Sequence, residues 1–307
     1  MTKSITNVPV ATTPRAALLA GMALAIGGAI LFSFKAIVAK LLYRYNVDTI
    51  TLIAFRMLFS GPVFAIIAVW RSRIDQPMAV RDRWRVGALG VIGYYLSSLL
   101  DFEGLQYISV GLERLLLFMT PTFILLITAL VLRRPIGRAA WGALALSYGG
   151  IVLVFLHDLH GGGGDTLTGS LLVLAAALSY ALYLLGTGEM VKRIGSLRLV
   201  AWAMCAASAA GLLQFFLLRP VSLLVQPLPV YGLSLVNGVF CTIFPVFMTM
   251  AAVQRIGAPT ASQAGMIGPV STLFLGWALL GEPITAVQVA GTALVLAGIY
   301  TLSRKKT

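Results

Sequence analysis

Long apolar runs separated by short polar connections dominate the pattern along this chain. A helix needs about 20 apolar residues to cross a bilayer core of roughly 30 Å. The segments that meet this length are 16–42, 48–70, 86–106, 109–132, 138–156, 167–188, 198–218, 230–253, 258–280 and 285–303. The pattern therefore predicts an all-α integral membrane protein with ten transmembrane helices.

The composition supports the same class of protein. Only 11% of the 307 residues are charged and 59% are hydrophobic, with a mean hydropathy of +0.94. A soluble domain carries about 25% charged residues, which it needs to cover its surface. A soluble enzyme, a disordered chain and a secreted disulfide scaffold are excluded. Cys205 and Cys241 lie in apolar runs without metal or disulfide spacing, so no metal site and no cofactor are expected.

The net charge of +13 comes from bases that collect in alternate connections. The other connections hold little beyond Arg44 and Arg219 and carry acids such as Asp48. Lys and Arg mark cytoplasmic loops, so both termini are predicted to be cytoplasmic, in the cell membrane (the inner one of a bacterium). The bases are expected to contact anionic lipid rather than nucleic acid. They include Arg71, Arg73, Arg81, Arg83, Arg85, Arg133, Arg134, Arg138, Lys192, Arg193, Arg198, Arg255, Arg304, Lys305 and Lys306.

An internal repeat appears when residues 106–154 are moved forward by 148 positions. Gln106, Pro121 and Pro135 then coincide with an identical glutamine and two identical prolines. Each half holds five spans, an odd number, so the second copy must enter the membrane inverted. We predict a first five-helix repeat in residues 1–156, an extracytoplasmic linker in 157–166 and a second, inverted repeat in 167–307. Inverted repeats around a central cavity are typical of alternating-access transporters.

The repeated motifs are Gly111…Pro121…Pro135 and Gly257-Ala258-Pro259…Gly268-Pro269…Gly281-Glu282-Pro283. With them the chain resembles the drug/metabolite transporter superfamily, in particular its EamA-type ten-helix exporters and, among these, the YddG-like amino-acid exporters. The first copy departs from the pattern, because Arg133-Arg134-Pro135 replaces the Gly-Glu-Pro turn. The resemblance implies a basket of helices whose cavity is lined by spans 1, 3, 4, 6, 8 and 9.

Polar side chains within the spans are candidates for this lining, because lipid cannot hydrogen-bond them. Tyr94, Ser97, Ser98 and Asp101 are spaced to share one face of the third span. An aromatic, hydroxyl-rich lining suits a mainly apolar solute with a small polar head, such as an aromatic amino acid. Interfacial tyrosines and hydroxyls that seal helix contacts are the alternative interpretation. The predicted substrate-binding residues are Ser33, Phe34, Lys35, Tyr94, Tyr95, Ser98, Phe118, Ser179, Tyr180, Tyr183, Phe244, Gln263 and Met266.

Charges inside the spans need separate interpretation. Lys35 is expected to snorkel to the headgroups, with pairing to a substrate or protein carboxylate as the alternative. Arg56 is deep enough to require a structural partner. Glu113 and Arg114 could clamp a zwitterion, although an outer-gate ion pair with another helix is favoured. Asp101, Glu103 and Glu113 could bind a proton, but they lie near the outer surface, where they are expected to be ionised and solvated.

Pro121 and Pro269 are the predicted hinges, with passive kinks as the alternative. Both histidines, His157 and His160, fall in a connection, which argues against an intramembrane serine protease. The sequence thus predicts a monomeric secondary transporter in the lipid bilayer, not an enzyme, that exports aromatic and other apolar amino acids and related small metabolites. Carriers of nucleotide sugars, sugar phosphates or drug-like solutes in the same superfamily remain the alternative.

Overall fold

A computed structural model of the chain describes residues 15–132, 138–162 and 165–304. These residues contain no strand, and every predicted span is largely helical. Arg133, Arg134, Pro135, Lys305 and Lys306 lie outside the described residues. The helices are α1 (Arg15–Tyr43), α2 (Thr49–Ile74), α3 (Val80–Gly90), α4 (Ser97–Leu105), α5 (Val110–Leu117), α6 (Thr120–Leu132), α7 (Arg138–Gly162), α8 (Thr166–Ile194), α9 (Ser196–Leu218), α10 (Leu228–Gly238), α11 (Phe244–Gly265), α12 (Ile267–Leu275) and α13 (Ala286–Arg304).

Three π-helical segments interrupt these helices. Val91–Leu96 joins α3 to α4, Val239–Ile243 joins α10 to α11, and Gly276–Leu280 extends α12. The first two begin 148 residues apart, which is the offset of the sequence repeat. A π segment adds a residue to the turn and therefore rotates the side chains that follow it. The residue spacing of an ideal α-helix does not hold across these points.

Seven helical stretches in the described part of the chain are long and apolar enough to cross a membrane. Two shorter apolar helices, Leu144–Leu159 and Ala286–Thr301, correspond to the predicted fifth and tenth spans. Residues 80–105, which contain nearly all of the predicted third span, are not among the seven. The structure supports a multi-pass helical membrane protein, but it does not confirm the count of ten. The seven are Ala17–Tyr43, Thr49–Ile74, Val110–Leu130, Thr166–Ile194, Ser196–Leu218, Leu228–Gly257 and Thr260–Leu280.

Helices of the first half pack side by side with helices of the second. The pairs are α1 with α11, α4 with α8, α2 with α9, α7 with α13, and α5 with α12. Close approach depends on glycine in α4 and α8, because a Cβ on Gly104 would lie 2.6 Å from the Gly169 carbonyl oxygen. Small residues let helix backbones meet in this way inside membranes. The core is therefore built from contacts between the halves.

Two helices break just before the prolines predicted as hinges. Phe118 (ψ −3°) ends α5 before Pro121, and Met266 (ψ −9°) separates α11 from α12 before Pro269. Proline lacks an amide hydrogen and its ring clashes with the carbonyl of the preceding turn, which accounts for both breaks. The two breaks are also 148 residues apart. The hinge role of the prolines stays a prediction.

Five interhelical connections meet at one end of the bundle, which we call the Asp48 end. Hydrogen bonds tie each connection to another one. Partial burial raises the pKa of Asp48, but hydrogen bonds from Thr51 and Arg219 outweigh burial, and the pKa lies below its ordinary value. The bonds run from Arg44 to the Leu280 carbonyl, Arg219 to Asp48, Gln106 to Thr49, Ser109 to Asp158, and the Val110 amide to Glu282.

The predicted linker at residues 157–166 is shorter than expected. The helix α7 continues through Gly162, and α8 already begins at Thr166. Ser109 donates a 2.6 Å hydrogen bond to Asp158, which anchors the last turns of α7 to the start of α5. His160 has no described side chain, and Gly163 and Gly164 lie outside the described residues.

Candidate functional site

A buried ion pair joins α1 to α4 below the Asp48 end. Lys35 Nζ lies 2.5 Å from Asp101 Oδ2, and the two residues are 5% and 1% exposed. The rings of Phe32 and Phe102 flank the ammonium, each with its centroid 5.2 Å away. The expectation that Lys35 snorkels to the headgroups is wrong. Its charge is matched inside the bundle because Asp101 also points inward.

Arg56 is buried in α2 among neutral partners. Its Nε donates to Thr242 Oγ1 at 2.9 Å and its Nη1 donates to Ser98 Oγ at 2.8 Å. The guanidinium also lies over Phe102, 5.6 Å from the ring centroid. Arg56 thus has the structural partners that its depth required. No carboxylate oxygen of the described residues lies within 4.0 Å of the Arg56 guanidinium nitrogens. The Arg56 charge therefore has no direct counter-ion.

Arg114 links α5 to α1 and to the broken helix α12. Its Nη2 donates to Ser33 Oγ at 3.1 Å, and Ser33 in turn donates to the Gly268 carbonyl at 3.0 Å. The guanidinium fills the space that a side chain at Gly268 would occupy. The rings of Phe32 and Phe118 lie 5.3 and 5.5 Å from it. In the described part of the chain, Arg114 forms no ion pair with another helix, contrary to the favoured prediction.

Glu113 is the least compensated group of this region. It is 1% exposed, and neither carboxyl oxygen has a hydrogen-bond donor among the described residues. Its carboxyl lies within hydrogen-bonding reach of Asp101 and feels the charges of Lys35 and Arg114. The expectation that Asp101 and Glu113 are solvated is wrong, because α1 and α12 cover them. We call Lys35, Arg56, Asp101, Glu113 and Arg114 the charged cluster.

Three tyrosines form a second cluster, adjacent to the first. The ring centroids of Tyr94, Tyr180 and Tyr183 lie 4.9 to 6.3 Å apart. Tyr183 reaches Tyr94 because Gly93 has no side chain, where a Cβ would clash with the Tyr183 ring. Arg56 interacts electrostatically with Tyr94 and so adjoins both groups. We call these residues the tyrosine cluster.

The third span does not present one polar face as predicted. Tyr94 joins the tyrosines of α8, and Ser97 donates to the Ala176 carbonyl of α8 at 3.0 Å. Ser98 instead contacts Arg56 of α2, and Asp101 contacts Lys35 of α1. The π segment Val91–Leu96 contains Tyr94 and precedes the other three residues, so the spacing of an ideal α-helix does not hold across the four. The four residues therefore contact three different helices.

The remaining predicted site residues lie in several places. Ser179 borders the tyrosine cluster and donates to the Ile92 carbonyl at 2.7 Å, whereas Phe34 packs against the apolar core. Tyr95 lies beside α9, near Gly211. Phe244 is 44% exposed and its ring contacts Phe240 in a tilted arrangement, and Gln263 is exposed. Met266 is half-buried at the helix break. The two clusters therefore do not include Phe34, Tyr95, Phe244, Gln263 and Met266.

Four polar residues near the clusters were missing from the predicted substrate-binding set: Arg56, Asp101, Asn237 and Thr242. Asn237 is fully buried, and its side-chain amide has no partner among the described residues. Arg56 and Asp101 carried a signal, because charges inside an apolar run are costly and mark functional positions. No sequence signal marked Thr242, since it lies in the π segment Val239–Ile243, from which it contacts Arg56.

Known families and relatives can be compared with this architecture. The "EamA-like transporter family" matches the chain twice, over residues 19–156 and 167–304. The "Uncharacterized transporter YcbK" of Bacillus subtilis is 31% identical over 297 residues, which cover 94% of each chain. The "Probable terminal-alkyne amino-acid exporter" of Streptantibioticus cattleyicolor is 25% identical over 246 residues, or 78% of this chain and 79% of that one.

The fold is also shared with solved structures. One crystal structure superposes with a TM-score of 0.65 over 93% of this chain and 98% of the other. The sequence identity between the two chains is 19%, so this likeness concerns the fold alone.

Proposed function

Because the chain belongs to the EamA-like transporter family, we propose that it exports amino acids, mainly aromatic and other apolar ones, by alternating access. The observation that carries the proposal is that the two clusters adjoin: Arg56 of the charged cluster bonds Ser98, on the helix that follows Tyr94, and interacts electrostatically with Tyr94. An aromatic amino acid combines a charged head with an apolar ring, and the two clusters match these parts. The relative named as an amino-acid exporter supports the same substrate class. A YddG-like specificity is part of this proposal.

The charged cluster offers partners for both ends of an amino-acid head group. Arg56 and Arg114 are held by hydroxyls and rings rather than by carboxylates, so either guanidinium can donate hydrogen bonds to a substrate carboxylate. Asp101 keeps one carboxyl oxygen without a donor, which suits a substrate ammonium. Charge-assisted hydrogen bonds of this kind are the strong ones in buried sites. A bound head group would thus supply the charged hydrogen-bond partners that these arginine and aspartate side chains lack.

The tyrosine cluster offers a surface for the substrate side chain. Tyr94 and Tyr180 are half-buried, so their rings are partly free of protein contacts. Aromatic rings favour edge-to-face and offset contacts with other rings, which adds about 0.5–1.5 kcal/mol to the burial of apolar area. This surface would favour tryptophan, phenylalanine and tyrosine over small polar amino acids.

Equivalent contacts in the two halves support the inverted repeat that alternating access requires. A Cβ on Gly238 would meet the Arg56 carbonyl, and one on Gly90 would meet the Ala203 carbonyl. The two glycines are 148 residues apart, and their partners Arg56 and Ala203 are 147 apart. We therefore treat residues 1–156 and 167–307 as the two inverted units, joined by 157–166. Exchange of their conformations would open a central cavity to either side in turn.

The orientation follows from the position of the bases. The Asp48 end holds few of them, so we place it outside the cell, with both termini in the cytoplasm. The hydrogen-bonded connections at the Asp48 end would then close the transporter toward the outside in this conformation. We place the protein in the bacterial inner membrane as a monomer.

A second candidate substrate class is favoured by the three buried bases. Lys35, Arg56 and Arg114 could attract a phosphorylated solute, as in carriers of nucleotide sugars or sugar phosphates in the same superfamily. Drug-like solutes belong to the same alternative. The tyrosine cluster favours an amino acid, because a phosphate gains little from contact with aromatic rings.

Reconstitution into proteoliposomes tests the proposal. Vesicles loaded with unlabelled tryptophan should exchange it for labelled tryptophan, and vesicles loaded with a nucleotide sugar should show no exchange of that solute. Protein-free vesicles provide the background. Amino-acid transport would be refuted if the nucleotide sugar is exchanged while tryptophan, phenylalanine, methionine and threonine all stay outside the vesicles.

A further inference from the structure

Two buried carboxyls face each other in the charged cluster. Asp101 and Glu113 are each 1% exposed and lie within hydrogen-bonding reach of one another. Two ionised carboxylates cannot hydrogen-bond because both are acceptors, whereas one shared proton turns the contact into a hydrogen bond. Three of their four oxygens have no donor among the described residues, the fourth being held by Lys35.

The nearby cations form their hydrogen bonds with groups other than Glu113. Lys35 is committed to Asp101, and Arg114 is committed to Ser33 while its guanidinium packs on Gly268. None of the described ion pairs includes Glu113. A buried carboxylate without a partner is costly, so a proton is the simplest compensation.

Charged groups from three helices, α1, α4 and α5, surround Glu113. Asp101 of α4, Lys35 of α1 and Arg114 of α5 are the charged groups that act on it. Arg56 of α2 acts on Asp101 rather than on Glu113. The helix α12 carries no titratable residue, and α7 brings Asp158 only to the start of α5. The helix α13 places a neutral glutamine beside Gly111, and α8 directs its tyrosines into the tyrosine cluster.

We propose that Glu113, paired with Asp101, is the proton-binding group through which this protein exchanges substrate for a proton. The proposal rests on the proposed transport function. A substrate ammonium beside Asp101 would add positive charge near Glu113 and favour release of the proton. Proton and substrate binding would then oppose each other, which is the requirement for exchange. The break at Phe118, one turn after Arg114, gives α5 a point at which the surroundings of Glu113 can change.

The test uses proteoliposomes and separates transport from coupling. Exchange of labelled for unlabelled tryptophan at equal pH reports transport alone, and its absence would count against the proposed function. With exchange established, an acidic lumen should drive accumulation of tryptophan, up to about tenfold for one pH unit at one-to-one stoichiometry. Glu113→Gln should abolish this accumulation and make exchange insensitive to pH.

Glu103→Gln is the matched control, since Glu103 lies half-buried on the same helix as Asp101 and outside the charged cluster. It should accumulate tryptophan like the unaltered protein. Accumulation by Glu113→Gln, or no response of the unaltered protein to the gradient, would overturn the proposal.

A second measurement decides the question if Glu113→Gln does not fold. Unaltered protein in a weakly buffered detergent solution should release about one proton per molecule when tryptophan saturates it. A pH-sensitive dye measures this release. No release from protein that demonstrably binds tryptophan would overturn the proposal.

Discussion

Asp101 of α4 holds the Lys35 ammonium of α1 at 2.5 Å, with both side chains buried beneath the Asp48 end. This ion pair connects the first predicted span to the third and leaves one Asp101 oxygen without a donor among the described residues. Removing one member of a buried pair leaves an uncompensated charge, which costs more than the pair itself contributes. The pair is therefore best tested by comparing single and double substitutions.

Asp101→Leu and Lys35→Met should each destabilise the protein by about 3–5 kcal/mol, because the remaining charge is buried and unpaired. The double variant should lose much less free energy of unfolding than the two single variants lose together, because it leaves no unpaired charge in the interior. Unfolding of the detergent-solubilised protein by dodecyl sulfate measures these free energies. Additive losses in the double variant would show that the two charges do not stabilise one another.

Tyr180→Ala should weaken transport of aromatic amino acids. The Tyr180 ring contacts both Tyr94 and Tyr183. If it makes similar contacts with the ring of the substrate, their loss should cost about 1 kcal/mol of binding free energy, which corresponds to roughly a fivefold rise in KM. Threonine transport should change less. Tyr148→Ala is the control, since Tyr148 is 40% exposed on α7. Equal effects of both variants on tryptophan KM would exclude the tyrosine cluster from the substrate path.

Gly268→Ala should impair transport several-fold by displacing Arg114. The added Cβ would lie 2.7 Å from Arg114 Nη2, so the guanidinium must leave Ser33. Such overpacking costs about 1–3 kcal/mol. Gly265→Ala, on the other side of the same helix break, meets no atom within 4 Å and should be neutral. Transport rates per folded molecule measure both variants, and normal transport by Gly268→Ala would contradict this role of Arg114.

Asp48→Asn should lower stability at neutral pH by about 0.5–1 kcal/mol, because the ion pair with Arg219 is partly exposed. The folded-state pKa of Asp48 is depressed, so the carboxylate stabilises the protein above its unfolded pKa of about 4. This contribution is lost as the pH falls through the folded-state value. Thermal unfolding from pH 3 to pH 7 should show the two proteins converging at the acidic end.

Asp165→Asn is the control for this pH dependence. Asp165 precedes α8 and its side chain makes no capping hydrogen bond there. Its substitution should leave the unfolding profile unchanged across the same pH range. A constant difference between Asp48→Asn and the unaltered protein down to pH 3 would show that the carboxylate charge is not involved.

Helix positions were largely predictable from the sequence, because apolar length determines where a chain can cross a bilayer. The helix α1 spans Arg15–Tyr43 where residues 16–42 were expected, and α9 spans Ser196–Leu218 where 198–218 were expected. Helix breaks also lie just before Pro121 and Pro269, whose hinge role stays a prediction. These features depend on local sequence, which the pattern records directly.

Side-chain partners were much less predictable. Snorkelling was expected for Lys35 because its distance along α1 permits it, whereas its burial depends on where α4 places Asp101. Ser98 and Tyr94 were expected on one face, but the π segment sends them to different helices. Register changes of this kind depend on packing between helices and leave no periodic signal in the sequence.

The charged cluster belongs entirely to the first half of the chain, while the second half contributes neutral partners such as Thr242 and Gly268. Two of the three π segments and the two helix breaks recur at the 148-residue offset, so much of the scaffold is duplicated but its charges are not. Two conformations that exchange the roles of the halves would consequently differ in electrostatic energy. The transporter is therefore expected to be kinetically asymmetric: its half-saturation concentration for substrate should differ between the two membrane faces, while the opposing fluxes stay equal when the solute concentrations are equal.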